Sequence, residues 1–239
     1  MLCIIFVLLQ LLTFHPMRGK KVLLLIAICS FAAFSCVQQK DRQVSVKGAI
    51  SHLGGSAIYV TYTNAQYNRT VDTLHSSMSG KFNLKLRTCE DLTPITINFA
   101  GKKCWTTLFA EPGDHITLRG NIEYVEMLTI RGGLVNNDLN RFKLQIRDLY
   151  KERLDILKGY CSQSNSSEIR LAEINLLLKR SAKEFIKENP SSIASVVLIQ
   201  DFFYQDYDPY TSEILGLLTG EASNCHLANK IRAGIRNRR

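Results

Sequence analysis

No C-x-x-C occurs anywhere in the chain, which excludes a thioredoxin-type redox centre within it. G-x-S-x-G and Walker-type phosphate loops are also missing, so neither a hydrolase nucleophile elbow nor a P-loop is present. Histidine is scarce. His15 falls in the leader, and His52, His75, His115 and His226 are scattered without an H-x-H or H-E-x-x-H pairing. Two imidazoles are therefore never set on one face at ligand spacing, and no metal or other cofactor is expected. There is no internal repeat.

What is present starts with charge. The 239 residues carry a formal net charge of +9, with much of the excess at the two ends, in "MRGKK" and in "NKIRAGIRNRR". The middle is close to balanced, so nucleic acid is not an expected partner. An apolar fraction of 46% is enough for a buried core, although part of it sits in the first 35 residues.

Those 35 residues hold two apolar runs, "LCIIFVLLQLLTF" and "VLLLIAICSFAAF", separated by "HPMRGKK". Each is shorter than the roughly 18 residues of a membrane-spanning helix. The second run has the layout of a secretory signal: Arg18, Lys20 and Lys21, then Val22 to Phe34, then small residues. Met17 is thus the expected initiator and residues 1–35 the leader, with a hairpin of two membrane segments as the rival reading. Ala33-Phe34-Ser35-Cys36 resembles a bacterial lipobox, in which a cysteine sulfur accepts diacylglycerol and becomes the first mature residue. Ala33, Phe34 and Ser35 depart from the usual pattern, which prefers Leu at the third place before the cysteine and Gly or Ala just before it, and an ordinary signal peptide with an incidental cysteine is the alternative. Acyl chains on Cys36 would hold the protein on a bilayer, with residues 36–42 as a lipidated polar tether.

Of the seven cysteines, Cys89, Cys104, Cys161 and Cys225 remain in the mature body. Their spacing is too wide for a zinc ribbon. In an exported protein they are open to disulfide formation, Cys89 and Cys104 being the most local pair because they bracket one expected strand; unpaired small apolar residues are the alternative.

From Gln43 to Arg131 the pattern is β. "VSVKGAI", "AIYVTYT", "KFNLKL", "ITINF", "WTTLFA", "HITLRG" and "EMLTIRG" alternate between turn signals, with the first broken at Gly48. Seven or eight short strands predict an antiparallel sandwich or partly open barrel over 43–133. The period then changes. Leu139, Phe142, Ile146 and Leu149 recur at helical spacing, with Asn136 or Asn137 as the cap. A second helix is expected from Ser166 or Ser167, and a third from Ser191 or Ser192 over "IASVVLIQDFF". "YQDYDPY" reads as a loop before a helical tail. The fold class is α+β, an antiparallel β-sandwich-like domain followed by a helical region over 134–239.

Asp72, Glu111 and Asp114 lie near turns; "EPGD" is turn chemistry before it is acid–base chemistry. Tyr204, Tyr207 and Tyr210, beside Asp206 and Asp208, form either a recognition loop or inward packing with solvated hydroxyls, and packing is the expectation.

"VKGAI", "AIYV", "TVDTLHSSMSGKFNL", "FAEPGDHITLRG" and "IRGGLVNNDLNRF" run in the order seen in a domain of unknown function. The chain resembles this amino-terminal domain of Gram-negative lipoproteins, many of which continue into a thioredoxin-like, thiol-disulfide oxidoreductase domain. Asp72, Gly80, Phe82, Pro112, Gly113 and Asn137 carry the likeness, and "FIKENPSSIASVVLI" resembles the segment linking the two domains. The resemblance covers roughly residues 43–205 and implies a fold rather than a chemistry. The family's catalytic cysteines have no counterpart before Arg239. The expectation is a standalone envelope lipoprotein with a non-catalytic binding or accessory domain, facing the periplasm or in the outer membrane, whose partners are the membrane and an envelope protein. The alternative is a truncated oxidoreductase, and a third reading makes Cys89 and Cys104 a redox pair.

Overall fold

The computed structural model describes residues 43–89, 92–159, 165–205 and 208–237. The leader, Met17, Cys36, the tether, Cys161, Asp206 and Tyr207 lie outside the described residues.

Alternation builds the β part. Strand β1 (Gln43–Ser51) buries Val44, Val46 and Ile50, and β4 (Lys81–Arg87) buries Phe82, Leu84 and Leu86 while its lysines and arginine face out. Between them come β2 (Ala57–Thr63) and β3 (Arg69–His75); β5 (Thr93–Phe99), β6 (Cys104–Ala110), β7 (His115–Asn121) and the short β8 (Thr129–Arg131) follow. One sheet has the order β4-β1-β7-β8 and the other β3-β2-β5-β6. All pairs are antiparallel except β1 with β7, which run parallel. The inner faces share one core, including Val46, Ile58, Val60, Ile97 and Phe99, all with no exposure. A bridge between Asn64 and Thr88 links the β2–β3 hairpin to the end of β4, partly closing the sandwich at one side.

Gly48 does not break the pattern of β1. It sits on the inner face opposite Phe82, and a methyl group there would meet the Phe82 ring, so the aromatic side chain occupies the room that the glycine leaves. Strand β3 belongs to no segment expected to be a strand. It is an edge strand whose residues alternate between exposed and half-buried, which leaves no apolar stripe to read. The segment "EMLTIRG" yields only the three residues of β8. Before it, Ile122–Met127 forms a 3-10 turn capped by Asn121, whose Oδ1 accepts from Glu123 N at 3.0 Å.

Seven helical segments follow among the described residues: α1 (Leu134–Gln145), α2 (Arg147–Leu157), α3 (Asn165–Glu188), α4 (Ile193–Ile199), α5 (Thr211–Leu215), α6 (Gly220–Asn224) and α7 (His226–Arg236). The expected first helix is two, parted at Ile146 (φ −105°, ψ 11°). Gly133 takes the capping position of α1 that Asn136 or Asn137 was expected to hold. Ser166 and Ser167 lie inside the first turn of α3. Ser192 does cap α4: its Oγ accepts from Ala194 N at 3.2 Å and donates to Asp138 on α1 at 2.6 Å. The helices enclose a second core around Phe142, Phe185, Ile174 and Ile199, into which Leu92 and Phe109 pack from the β part. Phe142 meets Phe185 and Phe202 edge-on at 5.5 and 5.8 Å between ring centroids.

Candidate functional site

After Ile199 the chain does not leave the helix but widens into a π turn, Gln200–Tyr204, with Gln205 N donating to Gln200 O. Such turns slip the helix register by a residue and recur at functional sites. Here the slip accompanies an acid, Asp201, set within the apolar run "VVLIQDFF". A cavity of about 470 Å³ opens beside it between α2, α3 and the π turn, lined by Tyr150, Arg153, Asn175, Lys179, Asp201 and Phe202.

The electrostatics of this groove are coupled. Asp201 stays exposed at the groove, and the partial desolvation of its carboxyl there lifts it to about 6, against the pull of the Lys143 ammonium. Lys143, half-buried at the end of α1, is itself pushed down by burial and held up by Asp201 and then Glu126. Tyr150 is raised to about 12, first by burial and next by Asp201, with Arg153 opposing. On the far wall Arg153 donates to Asn175 at 3.0 Å and Lys179 to Asp208 at 3.3 Å. An acid that holds or gives up its proton near pH 6 shares an open groove with two cationic side chains and two aromatic rings. That arrangement suits binding of a small polar molecule and exchange of a proton with it.

Sequence reasoning did not single out Lys143, Tyr150 or Asp201. A signal was there: a lone acid in an apolar run, and a lysine and a tyrosine flanking the apolar positions of α1 and α2.

The residues that were singled out lie elsewhere. Asp72 on β3 accepts from Tyr62 Oη at 3.0 Å. Asp114 Oδ2 accepts from Glu111 N at 2.9 Å inside their own turn, and both border a second cavity of about 220 Å³ at the junction of β6 and α1. Asp72 is not brought to them. His52 bonds Asn121 at 3.2 Å, and His115 lies 2.6 Å from Ser45 Oγ on an exposed sheet face; the other two histidines stand apart. The Ser45–His115 contact has a nucleophile and a base, but among the described residues no carboxylate is bonded to His115 to orient it. Among the described residues no three His, Cys, Asp or Glu side chains group at metal-binding distance. Tyr204 packs against the helical core and Tyr210 is exposed, so the tyrosine loop is divided.

Cys89 and Cys104 are not bridged to each other. The Cys89 thiol lies 2.9 Å from Thr93 Oγ1 at the start of β5, whereas Cys104 pairs with Phe99 at its end. Six residue steps of strand separate those ends by about 20 Å, far beyond the ~7 Å between Cα atoms that a disulfide tolerates. Burial and the nearby Glu126 push the Cys104 thiol up, away from the reactive thiolate.

Among the described residues no helix is long and apolar enough to cross a membrane. No family model matches the chain, and no curated protein matches it.

Proposed function

We propose that this protein is an exported bacterial envelope lipoprotein, acylated at Cys36, whose folded part serves as a non-catalytic binding or accessory domain. The observation that carries the reading is the junction at Cys36. A basic, apolar and small-residue leader ends there, and the first strand of the fold begins at Gln43 after a short polar stretch. The separation of Cys89, Cys104 and Cys225 among different elements supports binding over dithiol exchange. The groove beside Asp201 is the place for a small polar ligand.

The test is metabolic labelling of cells with a clickable fatty acid. The wild-type chain takes up label and sediments with membranes; Cys36→Ala loses the label and is released by carbonate washing. Unlabelled wild-type protein would overturn the anchor.

A further inference from the structure

Residues 43–133 carry nine bases and seven acids, yet six of the bases are sorted onto one surface. In the sheet β4-β1-β7-β8, the outward positions pair Lys47 with Asn83 and Thr117, Thr117 with Arg131, Ala49 with Lys81 and Arg119, and Gln43 with Arg87; Lys85 pairs with Ser45. Paired residues share a face, so Lys47, Lys81, Lys85, Arg87, Arg119 and Arg131 all project from one side. Each is exposed. Among the described residues these outward rows contain no Asp or Glu, and none of the six bases is in an ion pair. The face is about 15 Å across its four strands, so its charges lie within about one to two Debye lengths of one another and their potentials reinforce.

Two plain explanations fall short. Solvation of an outer face does not require lysine and arginine, because the outer face of the other sheet is built from Tyr59, Asn98 and Trp105 in one row and Thr61, Thr96 and Thr107 in the next. Lysines also guard exposed strand edges against pairing with other chains, and this accounts for β4 and β8. It does not account for Lys47 and Arg119, which stand on the interior strands β1 and β7.

We infer that this cationic sheet face docks on an anionic phospholipid surface. Charge complementarity supplies the attraction, since each base near such a surface is drawn to its negative potential. The choice of a membrane over another polyanion rests on the anchor reading given above. Seven residue steps lead from Cys36 to Gln43, a reach of no more than about 25 Å, and Gln43 opens a strand of the same face. The rows also hold no Phe, Tyr or Trp on which bases of a nucleic acid would stack. The acyl chains on Cys36 would tether the chain, and a basic face would set which side of the fold lies against the bilayer.

Flotation of the full chain carrying Cys36→Ser tests the face without the lipid, on vesicles of phosphatidylcholine alone and of phosphatidylcholine mixed with phosphatidylglycerol. Phosphatidylglycerol should tighten binding at least tenfold, and added salt should reverse the gain. Combining Lys47→Gln, Lys85→Gln and Arg119→Gln should remove the gain, with an unchanged circular dichroism spectrum. Combining Arg69→Gln, Lys102→Gln and Lys103→Gln, bases outside the face, should leave it intact. The inference is overturned if the face variant keeps its gain, if the control variant loses it equally, or if duplex DNA displaces the protein from the vesicles through the same three bases. Failure of fatty-acid labelling with the gain retained would remove the anchor and leave the docking face standing.

Discussion

Asn136 closes a two-way hydrogen bond with the backbone of Phe109: its Nδ2 donates to Phe109 O at 2.6 Å and its Oδ1 accepts from Phe109 N at 2.9 Å. The amide thereby completes the edge of β6 as a neighbouring strand would, from a helix. The same Nδ2 donates to Gly132 O at 2.6 Å, and the residue is 2% exposed. Asn140 on the same helix repeats the device on β8, accepting from Ile130 N at 3.1 Å and donating to Ile130 O.

Asn136→Ala should therefore cost about 3 kcal/mol, because it strands a backbone donor and two acceptors in a buried place. Asn136→Asp keeps the acceptor but sets a carboxylate against two carbonyl oxygens, and it should be at least as damaging. Urea unfolding of both variants checks this. A loss below about 1 kcal/mol for Asn136→Ala would show that water replaces the amide there.

Gly48 and Phe82 form a second coupled pair. Gly48→Ala drives a methyl group into the Phe82 ring and should cost about 2 kcal/mol by overpacking. Phe82→Ala alone leaves a void and should cost about 3 kcal/mol. Combined, the new methyl group enters the space that the ring has vacated, so the double variant should be at least 1 kcal/mol better than the two costs added. Strict additivity in thermal unfolding would mean that the ring does not rest on the glycine.

These two pairs also mark how far the sequence could be read. Period-two alternation located seven of the eight strands and period-3.6 spacing located the helices, because one buried face writes itself into the chain. Strand β3 escaped because an edge strand with half-buried Thr70, Asp72 and Leu74 has no such face. Asn136 passed for a helix cap because its residue type suits that role; its bond to Phe109 spans 27 positions, and no local rule carries that information. Ser192 was legible since capping is local. The groove was not, since Tyr150, Lys179 and Asp201 come from three segments that only the helical packing brings together. The basic face lay hidden for the opposite reason: a modest excess of nine bases over seven acids conceals a one-sided arrangement.

Tyr62 offers a direct readout of the sandwich. Burial, then the hydrogen bond to Asp72 and its charge, push the phenol up to about 12. A group raised on folding stabilises the fold fully below its unfolded value near 10, and that contribution fades as pH climbs through about 12. Asp72→Ala should bring the phenol part of the way down and leave it above 10, since burial is the larger cause. Phenolate absorbance, with Tyr62→Phe subtracted to isolate this ring from the other tyrosines, measures the shift. No change on removing Asp72 would mean that the carboxylate does not hold the phenolic proton.

Asp201 shifts in the direction opposite to that of a salt-bridged acid. Folding raises its carboxyl from 3.8 to about 6, so its protonated form favours the folded state. Its stabilising contribution is complete below pH 3.8 and is lost as pH rises through 6. The stability of the wild type relative to Asp201→Asn should therefore fall across that window. The fall should be about 1 kcal/mol, because water at the open mouth of the groove screens part of the burial effect. Lys143 responds in the other direction. Burial lowers its pKa and Asp201 is the first of the charges holding it up, so Asp201→Asn should lower it further. Heteronuclear NMR of the lysine Cε–Hε pair follows that titration. If Lys143 titrates identically with and without Asp201, the two groups are not electrostatically coupled, and the case for a proton-exchanging acid beside the π turn falls with it.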